Sequence, residues 1–464
     1  MTELNDDVLF YIFQDLYYLI TSNSNNEKKY KKSLYFCLFV NKHWYEIMVP
    51  ILWSYPYKHV YKKESLFNII ISHLSDNSIK FLKDKNIIEA NFQKQKLSFK
   101  YIKFCRYLND IHKIFPIRSS NLLKEKIYKL FISECSSIKS LSSEMVCYPI
   151  LKYPGANISL SNLYELDFKS GRLNDYHELA QICRSIEKIY IDLSRPNITE
   201  LIEMQKQIKY IYVKEDDNCE KIDQALEKHA NSIVLLNLTI YTKNGSFLYD
   251  LLLPKLSNLQ YLRINNMESK CILKHVIHLN YYNLQVLDLV EVSLDIAINI
   301  IQNTNGNLWK IKIRCHADYD RIKEYDQTIH QYCPNIKYVT VFLNDETLKE
   351  LEKIFIKCQH LVAIDVLENF SSSEYANKLL NLLVDLAPLT LYRLHIDFIT
   401  NFNREYLKLF FTNWNRKGRK TLHLYHLCDY LRERLVVKNI RELEYYNDDF
   451  WNHRITMLND EKND

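Results

Sequence analysis

Side chains able to do chemistry are plentiful in this chain but badly spaced for it. Fifteen histidines, eleven cysteines and 56 carboxylates are scattered over 464 residues. A zinc site needs Cys and His in close pairs, and a phosphate cradle needs clustered glycines so that backbone N–H groups can approach the ligand. There is no CxxC, no HExxH and no GxSxG. The five glycines, Gly155, Gly171, Gly245, Gly306 and Gly418, lie too far apart for GxGxxG or GxxxxGK. Metal hydrolysis, serine-type acyl transfer and the common nucleotide enzymes are therefore disfavoured. No catalytic residue and no cofactor is expected.

The informative spacing belongs to side chains that recognise rather than react. The pattern apolar-x-x-apolar-x-apolar begins at Leu163, Ile186, Ile208, Ile233, Leu259, Leu284, Leu308, Ile336, Leu361 and Leu391. Its mean spacing is about 25 residues, with weaker copies at Ile138 and around Leu422. Alternation in its last positions predicts a short strand. The residue between the last two apolar positions then points away from the core: Asp167, Tyr190, Tyr212, Asn237, Arg263, Asp288, Lys312, Thr340, Asp365 and His395. Tyrosine and arginine are enriched at binding hot spots. The candidate substrate-binding residues are therefore Tyr190, Tyr210, Tyr212, Tyr261, Arg263, Asp288 and Lys312. The chain carries 35 tyrosines, so composition alone could also line such a face.

The elements that position these residues follow from periodicity. HELAQICRSI (177–186) and CEKIDQALEKHANSI (219–233) are helical between strands. A strand-plus-helix unit of this length resembles the leucine-rich repeat, which stacks into a solenoid because one unit cannot bury its own apolar side. The family usually places Asn or Cys three residues after the last apolar position. Here Asn344 and Asn369 fit, whereas Gly171, Ser194 and Asp216 depart.

Residues 4–16, LNDDVLFYIFQDL, place Val8, Leu9, Ile12, Phe13 and Leu16 at helical spacing behind Asp6 and Asp7. TSNSNNEKKYKK is polar and predicts a long loop across 17–32. SLYFCLFVNKHW predicts a second short helix, and NKHWYEIMVPILW a third that Pro50 limits. Three short helices hold more apolar residues than they can hide between themselves, which points to a partner surface. An N-terminal cap packed on the rest of the chain is the other reading.

These residues carry a second resemblance. Leu4, Asp7, Val8, Leu9, Ile12, Phe13 and Leu16, then Ser33, Leu34, Cys37, Leu38, Val40, Asn41 and Trp44, then Pro50, Ile51, Leu52 and Trp53 resemble the F-box. Asn5 stands where that family usually has proline. With the repeats, and with YPGA at 153–156, the chain is similar to fungal-type F-box proteins with C-terminal leucine-rich repeats.

The resemblance implies an α/β protein: a three-helix F-box, then a leucine-rich-repeat solenoid with a curved parallel sheet and helices on its convex side. It implies docking on the Skp adaptor of a cullin–RING ubiquitin ligase through Leu4, Val8, Leu9, Ile12, Phe13, Leu34, Leu38, Val40, Trp44, Pro50, Leu52 and Trp53. The chain would then be the non-catalytic substrate receptor of an SCF-type complex. A non-ligase scaffold or a nucleic-acid-binding repeat protein is the alternative.

The expected domains are 1–55 (F-box), 56–135 (helical linker and cap), 136–440 (solenoid) and 441–464 (tail). A net charge of +5 gives no electrostatic case for nucleic acid or an anionic membrane. The acidic start, MTELNDD, predicts no secretory leader, and no apolar run reaches the roughly 20 residues of a spanning helix. Isolated cysteines such as Cys37, Cys183 and Cys271 fit buried thiols in a reducing compartment. The expected location is cytoplasmic or nuclear, and the expected partners are the adaptor and a protein target.

Overall fold

The computed structural model describes residues 5–22, 27–57, 63–116, 119–142, 144–167, 176–192, 198–215, 220–240, 252–266, 278–315, 319–344, 346–368, 373–396, 404–416, 419–420, 422–426 and 443–445. The chain divides into two compact units, residues 1–211 and 212–464.

The first unit opens with helices α1 (Asp6–Ser22), α2 (Glu27–Cys37) and α3 (Lys42–Ser54). Two expectations are corrected here. Most of the predicted 17–32 loop is helical, because Glu27–Lys32 are good helix formers and Tyr17 packs against the three-helix core. Helix α3 also runs through Pro50 to Ser54 rather than stopping there. Burial of Met48, Val49 and Ile51 on either side of the proline outweighs its missing N–H. Helices α4 (Lys63–Ile71), α5 (Asp76–Asp84) and α6 (Asn121–Glu134) follow. Ser75 and Ser120 cap α5 and α6, their hydroxyls accepting from the Ser78 and Leu123 N–H groups at 3.3 and 3.2 Å.

Strands β1 (Tyr107–Leu108), β2 (Ser140–Leu141), β3 (Glu165–Asp167) and β4 (Lys188–Asp192) pair in parallel and in chain order. Their register stacks Leu108, Leu141, Leu166 and Ile189, all buried, in one column. The ladder therefore begins inside the span assigned to a linker, 56–135. A two-residue strand is too short to leave an alternation in the sequence. Gly155, within YPGA, adopts φ +83, and a Cβ there would meet the Ile132 carbonyl oxygen at 3.3 Å.

Strand β5 (Tyr210–Glu215) carries the division between the units. The second unit continues with β6 (Leu235–Ile240), β7 (Tyr261–Asn266), β8 (Val286–Val290), β9 (Lys310–Arg314), β10 (Tyr338–Leu343), β11 (Ala363–Glu368), β12 (Arg393–Ile396), β13 (His423–His426) and β14 (Leu443–Tyr445). All neighbours among β6–β14 are parallel. Leu236, Leu262, Leu287, Ile311, Val339, Ile364 and Leu394 stack as buried register partners. These are the second apolar positions of the sequence pattern. Parallel neighbours require a crossover, and helices such as Leu294–Gln302, Tyr319–Tyr332, Leu348–Lys357 and Ser373–Leu386 supply it. The degenerate copy near Leu422 is a true strand, and β14 lies in the span expected to be a tail.

Two side-chain ladders reinforce the stack, and neither was foreseen. Asn258, Asn283, Asn307 and Asn335 each precede the first apolar position of their repeat. Their Nδ2 groups donate to the carbonyls of Asn231, Ser257, Tyr282 and Gly306 in the preceding repeat at 2.7, 2.8, 2.9 and 3.3 Å. Thr390 takes the same position and donates to the Gln359 carbonyl at 3.0 Å. Two residues earlier in the repeat, Cys183, Gln205 and Cys358 donate to the carbonyls of Leu160, Cys183 and Cys333. The expected turn residue Asn344 does bond the backbone, accepting from the Glu346 and Thr347 N–H groups at 3.0 and 3.1 Å. Gly171, Ser194, Asp216, Asn369 and Cys271 lie outside the described residues.

One buried charge is poorly matched. Asp326, on the helix Tyr319–Tyr332, is fully buried, and neither carboxylate oxygen has a hydrogen-bond partner of good geometry. Burial above all, with the nearby Glu350 charge, raises its pKa well above the usual carboxylate range, and the Phe342 backbone opposes this only in part. The folded state then holds a proton that the unfolded chain releases, so stability falls as pH rises above the ordinary Asp range. Asp326→Asn should melt with the wild type near pH 4 and above it at pH 7–8, by about 2–4 °C for each kcal/mol recovered. Parallel melts at the two pH values would show no divergence if the carboxyl were ionised in the fold. Asn283→Ala, which removes one ladder bond, should cost about 1 kcal/mol in a denaturant titration. An unchanged midpoint would show that the ladder does not stabilise the stack.

Candidate functional site

The three N-terminal helices build a small core and leave a second set of apolar groups outside it. Leu9 and Phe13, four residues apart on α1, point inward with Leu34 of α2 and Met48 and Ile51 of α3. The Phe13 and Trp44 rings meet edge to face at 5.1 Å. Asn41, in extended conformation, accepts the Trp44 N–H at 2.8 Å and starts α3. Asn5, the departure from the family pattern, does the corresponding work on α1: its Oδ1 accepts the Asp7 N–H at 3.2 Å. Cys37 ends α2, and backbone bonds from Leu38, Phe39 and Val40 to Tyr35, Phe36 and Cys37 fix the turn that follows.

Outside this core stand Val8, Phe10, Tyr11 and Ile12 on α1, Tyr35 and Phe36 on α2, and Phe39 and Val40 in the turn. They are 42–71% exposed. Tyr35 and Phe39 have ring centroids 5.4 Å apart, and Lys32 Nζ lies 5.7 Å over the Phe36 ring. An isolated exposed apolar side chain is ordinary, but this density on fewer than fifty residues is not.

The sequence-derived adaptor contacts therefore separate. Val8, Ile12 and Val40 are exposed. Leu9, Phe13 and Leu34 are buried and hold the module together instead of facing a partner, which corrects their assignment. Leu38, Trp44, Pro50, Leu52 and Trp53 are half-buried, and Trp53 stacks on Tyr101 at 4.5 Å. Leu4 lies outside the described residues. Phe10, Tyr11, Tyr35, Phe36 and Phe39 were missed. Their signal was present as aromatic residues beyond the single stripe that a helix needs for its core.

The strand-face candidates also separate. Tyr190 and Tyr210 belong to the first unit, where Lys188 lies over the Tyr190 ring at 5.4 Å and Tyr210 is buried. In the second unit Tyr261, Arg263 and Asp288 come together. The Tyr261 hydroxyl donates to Asp288 Oδ2 at 3.4 Å, and Arg263 Nη1 lies 3.6 Å from the same oxygen. Burial first, then the Asp288 charge, pushes the Tyr261 phenol pKa up, while Arg263 opposes. Tyr212 is half-buried.

The open, water-facing character expected of this face is corrected. Asp288, Lys310, Lys312, Thr340, Asp365, Arg393 and His395 are all buried. Neighbouring strands set their side chains about 4.8 Å apart, so each long side chain shields the next. The row is ordered by polar contacts. His395 Nδ1 and Asp365 Oδ1 are 2.6 Å apart, Thr340 Oγ1 donates to Asp365 Oδ2 at 3.2 Å, and the Ile313 N–H donates to Thr340 Oγ1 at 3.2 Å.

Among the described residues, no group of three or more His, Cys, Asp or Glu could hold a metal ion. Burial pushes the Cys183 and Cys358 thiols up to about 12, so neither presents a thiolate at neutral pH. No described helix is long and apolar enough to cross a membrane. Phe13→Ala should cost about 3–5 kcal/mol and loosen the module, whereas Phe39→Ala should leave its melt within about 0.5 kcal/mol. Tryptophan fluorescence, reporting on Trp44 beside Phe13, distinguishes the two. Equal losses would mean that Phe39 is also part of a core.

No protein-family model matches the chain, and no curated protein matches it. Among solved structures, the leucine-rich repeat-containing protein LegL7 from Legionella pneumophila is similar over 54% of this chain and 80% of that chain, at 14% identity and a TM-score of 0.32. The strand-per-repeat ladder rests on the register above and not on that likeness.

Proposed function

We propose that this chain is the substrate receptor of an SCF-type cullin–RING ubiquitin ligase. In this reading the three-helix module is an F-box that docks on the Skp adaptor, and the units are built from leucine-rich repeats that bind a protein target. The chain performs no bond chemistry. It raises transfer by holding the target near the ligase machinery, where proximity replaces a slow encounter. The observation that carries this reading is the exposed group Val8, Tyr11, Ile12, Tyr35, Phe36, Phe39 and Val40 on a module whose core is already complete without them. Aromatic and aliphatic anchors of this kind are what helix-in-groove recognition uses.

The test is capture of the purified Skp adaptor by the full chain, compared with an Ile12→Asp, Phe39→Asp double variant that leaves Leu9 and Phe13 intact. The wild type should retain the adaptor through gel filtration, and the variant should bind at least about tenfold more weakly, the loss of about 1.4 kcal/mol or more expected for two anchors. Failure of the wild type to retain the adaptor removes the ligase reading.

A further inference from the structure

We infer that the strand face of the second unit receives an extended peptide segment carrying a basic side chain over β8 and an acidic one over β12, about six residues apart. The inference deepens the target-binding role proposed above and rests on it.

Two side chains carry it. Asp288 is 3% exposed. Its Oδ2 meets Tyr261 and Arg263, whereas its Oδ1 is buried with no hydrogen-bond partner. Arg393 is 4% exposed, and its Nε and Nη1 are buried with no partner. Its guanidinium carbon lies 5.4 Å from the Tyr392 ring centroid, a contact that uses the π face and leaves those N–H groups unspent. Buried polar atoms are nearly always paired, and a buried charge without a partner is costly. Asp288 Oδ1 is thus an acceptor without a donor, and Arg393 Nε and Nη1 are donors without an acceptor.

The two share a face. Asp288 is the register partner of Lys312, and Arg393 connects through Ala363 and Tyr338 to Lys310. Lys310 and Lys312 are two apart on β9, so their side chains lie on the same side of the strand. The charges between the two positions are already engaged: Asp365 by His395 and Thr340, and Lys310 and Lys312 by contacts of their own. A ligand's charges are thus directed to the two ends. From β8 to β12 is four inter-strand steps of about 4.8 Å, or about 19 Å. An extended chain rises about 3.3 Å per residue, so about six residues span it. Arg263, partly exposed and beyond hydrogen-bond distance of Asp288, is the side chain that must yield to admit a basic group.

The experiment is selection of displayed random 12-residue peptides on the purified full chain. Enriched peptides should carry a basic and an acidic residue five to seven positions apart. Against Asp288→Asn the basic preference should disappear, and against Arg393→Gln the acidic one. Each substitution should weaken the selected peptides about tenfold or more, as loss of a charge-assisted hydrogen bond predicts. Enrichment without a spaced charge pair, a pair insensitive to both substitutions, or no enrichment at all overturns the inference; in the last case the orphan atoms are served by water. Should a variant fail to fold, the wild-type selection decides by itself. Adaptor capture is scored separately, so charge-paired peptides without adaptor binding would sink the ligase reading alone.

Discussion

One constraint organises the repeat units: the apolar side of a strand-plus-helix repeat has no way out of water except against its neighbours. Leu262 is covered by Leu236 on one side and Leu287 on the other, and the same holds along the column to Leu394. Each fully buried side chain of this size contributes about 1.5–3 kcal/mol. A parallel register is what allows equivalent positions to meet, because the chain returns to the same end of the strand in every repeat. A one-residue slip would turn each apolar set to the other face.

The asparagine and thiol ladders solve the complementary polar problem. Between helix and strand the backbone leaves carbonyls that no regular ladder satisfies. Asn283 reaching Ser257, and Cys358 reaching Cys333, satisfy such carbonyls from the adjacent repeat. Cys183 and Cys358 thus find their physical use as small buried donors. Their raised pKa values belong to the same environment that makes them inert.

The three-helix module shows a different balance. A core of Leu9, Phe13, Leu34, Met48 and Ile51 is small, and capping by Asn5 and Asn41 sets where its helices begin. Among the described apolar side chains of α1, Leu9, Phe13, Leu16 and Tyr17 pack in or against that core, whereas Val8, Phe10, Tyr11 and Ile12 stand outside it. Retaining Phe36 and Phe39 in water offers nothing to the stability of the isolated module. The buried polar row of the second unit also departs from pure packing: Asp288 Oδ1 and the Nε and Nη1 of Arg393 are buried there without a hydrogen-bond partner.

By itself the sequence determined the elements and their repetition. Strands at the pattern positions from Leu163 to Leu391, the helices between them and the N-terminal helical trio all follow from periodicity, which depends only on local geometry. It also led to an expectation of recognition over catalysis, since Cys, His and Gly are not spaced as the common catalytic and metal motifs require. What only the tertiary structure decided is which apolar residues are inside. Val8 and Leu9 are adjacent and equally greasy, and a helical stripe does not say which flank meets another helix. Strands β1 and β14 were invisible for a related reason: two or three residues stabilised by a neighbour need no pattern of their own. The burial of Lys312 and Asp365 likewise comes from side chains supplied by other strands, and no window of sequence contains them.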